Sequence, residues 1–261
     1  LSGAGANVVG IHLDPVSRAQ ALYSKTVENL GDRDQEKTVA NVVQLSIKGA
    51  ERIEELAPDA TQLVHLHRLG GRCDLPIDAH PKVVASIHFF QTRGKETFDA
   101  WQRRSGRYRD MILEILRAEG LPEDLLYLAM IESGFRPTVQ SRARAVGLWQ
   151  FMAGTAKFEG LQRNYWLDER RDPIKATRAA ARHLKGLYKQ FGDWRLAAAA
   201  YNAGRGRVSR AIDRAGSRDF WQLDLPRETR NYVPLLMAMA VMSKDPELFG
   251  FEDIEMVKPM D

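Results

Sequence analysis

The sequence predicts an all-α fold, and three observations carry that prediction. Strand-type alternation is weak throughout. Apolar residues recur instead at three- and four-residue spacings, the period of a helix with one buried face. The periodic stretches are also punctuated by Pro, Asp and Gly where helices start and stop. From Pro15 to about Leu30, Ala19, Leu22, Tyr23, Val27 and Leu30 share a face. A second stretch runs from Asp34 to about Leu56 with Val39, Val42, Val43, Ile47 and Ile53, and Pro58 stops it. A third, from Asp59 to Leu69, ends at Gly70-Gly71, and Arg72-Cys73-Asp74-Leu75-Pro76 reads as a linker. Pro81 restarts the pattern through Val83, Val84, Ile87 and Phe90 to about Gly94.

The later elements are better bounded. Tyr108 to Glu119 places Met111, Ile112, Ile115 and Leu116 on one face, with Gly120 where a left-handed cap is needed. Pro122 suits a first helical position, and Glu123 and Asp124 suit the positive end of the helix dipole. The run Leu125 to Ile131 that follows is apolar nearly all round, so this helix should be buried; Ser133-Gly134 ends it. Asp172-Pro173 opens a helix of about five turns that closes at Gly192. Asp193 can cap the next, Trp194 to Asn202, whose alanines allow close packing. Pro226 opens the last helical region, which Pro234 should kink or split. The expected organisation is a helical N-terminal appendage at 1–74, a compact domain at 75–251 and a tail at 252–261.

Composition narrows the function classes. Of 261 residues, 44% are hydrophobic and 28% charged, which excludes a mainly disordered chain. No apolar run reaches ~18 residues, so no transmembrane segment is expected. Lys and Arg number 38 against 34 Asp and Glu, a net +4 that suits an anionic partner but lacks the dense basic stripe of a nucleic-acid binder. Arg207, Arg210, Arg214 and Arg218 trace a solvated helix face. The single cysteine, Cys73, excludes an intrachain disulfide and fits either the cytosol or the periplasm. His65, His67, Cys73 and Asp74 lack zinc-type spacing, so no metal is expected. The chain opens at Leu1 without a signal-peptide pattern, which reads as a processed or truncated product.

Glu132 is the residue that needs a reason. It follows seven apolar residues on a helix that should lie in the core. Burial disfavours the carboxylate, so its pKa should rise, and a carboxyl still protonated near neutrality can protonate a leaving oxygen. The plain alternative is a helix-end Glu that reaches solvent or pairs with an Arg.

The downstream sequence bears on that choice. Ile131-Glu132-Ser133-Gly134-Phe135 is followed by Ser141-Arg142-Ala143, then Ala145 through Met152, then Gly154-Thr155-Ala156. Ala200-Tyr201-Asn202-Ala203-Gly204 and Glu228-Thr229-Arg230-Asn231-Tyr232-Val233 come later. In this order and spacing the motifs resemble the lytic murein transglycosylases of the goose-type-lysozyme-like superfamily, nearest to the membrane-bound transglycosylase D type. The likeness covers about 80–245 and includes the stretches 119–124 and 168–173.

The resemblance implies a lysozyme-like domain that cleaves the β-1,4 bond between N-acetylmuramic acid and N-acetylglucosamine, with Glu132 as the single acid and then base. It implies no metal or organic cofactor, peptidoglycan glycan strands as partner, and a bacterial periplasm or cell envelope as location. Ser141, Gln150 and Met152 match positions beside the acid and lining the cleft. Tyr201 and Asn202 match a Tyr-Asn pair facing it, where the Tyr hydroxyl orients Glu132 or holds the sugar. Glu228 and Tyr232, four apart on one helix face, match the opposite wall. Trp149 and Trp166 are candidates for stacking on sugar, whereas Trp194 reads as core. Two positions depart from the pattern that the resemblance implies: Arg144 stands where relatives often have a small residue such as Gly, and Ala153 where they often have Pro. Two rivals share the motifs, a hydrolytic muramidase of the same superfamily and a domain that holds glycan without cutting it.

Overall fold

The computed structural model describes residues 66, 68–252 and 254–260. The helices expected within 1–65, together with His65 and His67, lie outside the described residues. Beyond the helical residues 66 and 68–70, eight further α-helices stand among the described residues: α1 (Pro81–Gln91), α2 (Lys95–Ala118), α3 (Leu126–Ser133), α4 (Ala153–Phe158), α5 (Pro173–Phe191), α6 (Trp194–Ala203), α7 (Arg205–Ala215) and α8 (Arg227–Lys244). Among the described residues β-structure is confined to isolated bridges, so the all-α prediction holds. Among the described residues no helix is long and apolar enough to cross a membrane.

Helix ends follow the local chemistry. Asp172 accepts the Lys175 N–H at 2.9 Å, and Asp193 accepts those of Arg195 at 2.6 Å and Leu196 at 3.3 Å. Gly134, Gly192 and Gly216 take left-handed C-cap conformations, where a Cβ would be strained. Three expectations need correction. The helix foreseen from Tyr108 begins at Lys95, because Gln102 and Ser105 occupy buried positions among Phe98, Trp101 and Tyr108 and interrupt the apolar pattern. The helix foreseen from Pro122 starts as a single 3₁₀ turn, Glu123–Leu125, before α3. Pro234 does not split α8, which runs unbroken to Lys244; the carbonyl its ring leaves without a donor belongs to Arg230, on the exposed side.

α3 lies at the centre, with Leu128, Ala129 and Met130 fully buried between α2 and α8. Ala197 to Ala200 of α6 are also buried, and their small side chains let α6 pack closely on α5 and α8. The approach to the domain is tied in as well. Leu66 and Leu69 belong to the same core, and buried Asp124 accepts the Asp74 N–H at 2.6 Å, the Leu75 N–H at 3.4 Å and the Lys244 ammonium at 2.7 Å. The tail folds back on α2: the Val257 N–H donates to the Arg103 carbonyl and the Met260 N–H to that of Arg107. Gly106 permits this, since a Cβ there would overlap the Val257 backbone.

Candidate active site

Glu132 sits in the last turn of α3 and is half-buried, so it neither points into bulk water nor is sealed off. Its immediate surroundings fix its direction. Gly134 ends the helix with φ 57°, and the next residue, Phe135, also holds a left-handed φ of 60°, turning the chain sharply away. Trp101 packs so closely on Gly134 that a Cβ would collide with its indole, and Arg104 Nε donates to the Gly134 carbonyl at 2.7 Å. Ser133, fully buried, has its hydroxyl within hydrogen-bond distance of the Leu148 carbonyl (2.8 Å) and accepts the Arg136 N–H at 3.2 Å. That bond pins the end of α3 to the 139–151 loop. The sequence marks Ser133 only as a helix end, although a hydroxyl next to the acid in the chain signals this role.

The Tyr232 hydroxyl donates to Glu132 Oε1 at 2.6 Å. Burial is the main influence on Glu132 and pushes its pKa up to about 7; the Tyr232 bond opposes that rise, and the negative charge of Glu228 adds to it. The Tyr201 and Tyr232 hydroxyls are themselves pushed well above their ordinary pKa, first by burial and then by the charge of Glu132, so both stay protonated donors at neutrality.

The candidate residues fall into two groups. Glu132, Tyr232, Asn202, Glu228 and Tyr201 come together from α3, α6 and α8. Asn202 Nδ2 donates to Glu228 Oε1 at 3.3 Å, and Asn202 Oδ1 accepts the hydroxyl of buried Thr229 at 2.8 Å. Tyr201 donates to the Trp149 carbonyl at 2.7 Å, so the hydroxyl bonded to Glu132 is that of Tyr232 and not that of Tyr201. Behind Tyr201 lies a pair the sequence did not flag: His183 Nδ1 is 2.8 Å from Glu159 Oε1, with the imidazole edge-on to the Tyr201 ring.

Ser141, Gln150 and Met152 form the second group, on the 139–152 loop. Ser141 Oγ accepts the Ala145 N–H at 3.1 Å inside a turn, so it caps the loop. Gln150, at φ 47°, donates its amide to the carbonyls of Val139 and Gly147. Met152 is exposed and lines a surface depression. None of the three is hydrogen-bonded to Glu132. Arg170 holds the loop from below: almost wholly buried, it grips Asp168 with two bonds of 2.8 and 2.7 Å and donates to the carbonyls of Arg144 and Phe151, both at 3.0 Å. The tryptophans reorder. Trp149 is fully buried, donating to Thr177 Oγ1 at 2.9 Å, Trp194 is only half-buried and stacked on Tyr188, and Trp166 is 90% exposed. Arg207, Arg210, Arg214 and Arg218 are exposed, as the solvated-face reading expects. Among the described residues no three His, Cys, Asp or Glu side chains converge as a metal site.

Residues 110–223, which include Glu132 and the loop, match the family model described as the transglycosylase SLT domain. Over 152 residues the chain is 39% identical to the membrane-bound lytic murein transglycosylase D of Escherichia coli (strain K12), a match covering 56% of this chain and 34% of that protein. It is 38% identical over 149 residues to the peptidoglycan transglycosylase gp16 of Escherichia phage T7, covering 55% of this chain and 11% of the phage protein. The chain thus spans about a third of the first relative's length. The fold is that of the 70 kDa soluble lytic transglycosylase SLT70 from E. coli: TM-score 0.51 at 18% identity, over 94% of this chain and 50% of that one.

The Tyr232–Glu132 bond makes a prediction that needs no substrate. A hydrogen bond donated to a carboxylate favours the charged form, so Tyr232→Phe should raise the Glu132 pKa further, by about one pH unit. A carboxyl carbon NMR titration of Glu132 in both proteins measures it; an unchanged or lowered midpoint would show that the bond has no hold on the acid.

Proposed function

We propose that this chain is a peptidoglycan lytic transglycosylase acting in the bacterial cell envelope, with 75–251 as its catalytic domain. One observation carries the reading: a carboxyl in the last turn of the central helix α3, inside the stretch that matches the SLT model, held by Tyr232 and pushed up to about 7 by burial. Such a group has a proton to give and, once it has given it, enough basicity to take one back.

The chemistry uses both capacities. Glu132 protonates the glycosidic oxygen as the bond from muramic C1 to that oxygen breaks. The acetamido oxygen of the same sugar bonds to C1 and offsets the developing positive charge. Glu132, now a carboxylate, removes the proton from the 6-hydroxyl; O6 attacks C1, the acetamido oxygen leaves, and a 1,6-anhydro ring closes. No water is consumed, so one carboxylate suffices where most glycosidases use two. Tyr232 orients the acid. Asn202 and Glu228 form the adjoining wall, and Ser141, Gln150 and Met152 present the loop to the sugar.

A hydrolytic reading has one feature in its favour: Glu228 is close enough for its charge to act on Glu132. Hydrolysis would need it to activate a water. Mass spectrometry of digested sacculi separates the two outcomes, because each anhydro end is one water lighter than its hydrolytic counterpart. Anhydro ends are the expected product. Reducing muramic ends would overturn the lytic reading, and intact sacculi would overturn the enzyme reading.

A further inference from the structure

The loop beside the acid also builds a depression of about 630 Å³, walled by Gln140, Arg144, Met152, Arg163, Asp168 and Arg170. Its charges do not cancel. Asp168 is neutralised by the fork from Arg170, which leaves Arg144 and Arg163, both exposed and neither paired with a carboxylate among the described residues.

Two further features mark the place. Arg144 holds φ 65°, a left-handed conformation uncommon for a non-glycine residue, while Arg170 secures its carbonyl at 3.0 Å. A glycine would occupy this backbone without strain, so the chain keeps a long cation at the rim against the local preference. Opposite, Arg163 bridges to Asp168 and closes a short loop whose tip carries Tyr165 and Trp166, each 90% exposed, with rings edge to face at 4.7 Å. That tip is fixed: Asn164 N–H bonds the Leu167 carbonyl, and Asn164 Oδ1 accepts the N–H groups of Trp166 and Leu167, all at 2.8 Å. Two large rings held in water beside two unneutralised guanidinium groups suit a ligand that offers flat apolar faces and carboxylates together.

We propose that this depression is a subsite for the carboxylates of the stem peptide attached to muramic acid, with Tyr165 and Trp166 as a shelf for the neighbouring sugar. The proposal rests on the transglycosylase reading for the identity of the glycan. Arg144 and Arg163 make charge-assisted bonds to the carboxylates, and the chain thereby prefers strands with acidic stems over the same strands with those carboxyls neutralised.

The test is a binding measurement on the full chain carrying Glu132→Gln, which removes turnover. The probes are soluble glycan strands bearing stem peptides, and the same strands after conversion of their carboxyls to amides. At low salt the acidic strands should bind about fivefold tighter, as expected for two solvent-exposed charge pairs. Adding Arg144→Gly or Arg163→Gln should bring the two affinities together, and raising the salt should do the same in the starting protein. Tyr165→Ser with Trp166→Ser should weaken both probes alike and keep their ratio. Circular dichroism confirms that each variant is folded. Equal affinity for the two probes at the outset, or a preference that survives both arginine substitutions, would overturn the proposal. Turnover by the unsubstituted chain is scored separately. A charge preference without cleavage would sink the transglycosylase reading and spare the subsite; cleavage without a charge preference would do the reverse.

Discussion

Glu132→Gln is expected to lower murein turnover by about a thousandfold, the order associated with loss of a positioned acid that also serves as base. Glutamine keeps the shape of the side chain and can still meet the Tyr232 hydroxyl, so glycan binding and the helical circular dichroism signal should persist. The same substitution has a stability signature with a definite sign. Burial raises the folded-state pKa from 4.5 to about 7, so between those values the unfolded chain releases a proton that the folded chain retains. Stability is therefore fully present below pH 4.5 and declines as pH rises towards about 7, with an upper bound of about 3 kcal/mol above that. Glu132→Gln removes this dependence. Denaturation of both proteins from pH 4 to 8 should show curves that diverge upward in pH, with the variant the more stable at the alkaline end. Turnover at the parental rate would place the acid elsewhere, and parallel stability curves would mean that Glu132 is not desolvated.

How far the sequence discloses this site depends on the range of the interactions involved. The burial of Glu132 is legible because it is local: an apolar stretch wrapping nearly the whole helix draws its last turn into the core and leaves Glu132 only partly open. Helix ends marked by Gly134, Gly192, Asp172 and Asp193 are legible for the same reason, since each cap forms within a few residues. The partner of Glu132 is a long-range matter. Tyr201 and Tyr232 both sit on helices beside the acid, and only the packing of α6 and α8 decides that Tyr232 reaches Oε1 while Tyr201 turns to the Trp149 carbonyl. Arg170 illustrates the same limit. A guanidinium in a run of charged residues reads as surface, yet four bonds to Asp168, Arg144 and Phe151 satisfy it almost wholly out of solvent. The first half of α2 is hidden in the sequence for a compositional reason, because its buried face includes Gln102 and Ser105 and so lacks a continuous apolar stripe.

Gly147→Ala should be the most damaging single-methyl change in the loop. Gly147 is buried at φ 89°, and its N–H donates to the Val139 carbonyl at 3.0 Å. A Cβ at this position would overlap the Arg170 carbonyl oxygen. Neither side can yield cheaply. Arg170 is anchored through its guanidinium, and the next residue, Arg171, donates its N–H to the Asp168 carbonyl at 3.0 Å. The left-handed backbone alone costs an alanine about 1–2 kcal/mol, and overpacking adds about 1–3 kcal/mol. A total of about 2–5 kcal/mol corresponds, in a domain of this size, to a fall in Tm of roughly 10 °C. Gly154→Ala is the matched control, since it lies in α4 with nothing near its would-be Cβ and should be neutral or slightly stabilising. Calorimetry of the two variants compares the same added methyl in a closed and an open position. Because Gly147 lies between Ser141 and Gln150, and next to the Leu148 carbonyl that meets Ser133, loosening it also frees the end of α3, so turnover should fall even at temperatures where the variant remains folded. Equal Tm values for the two would mean that the contact between Gly147 and Arg170 does not hold the loop against the acid.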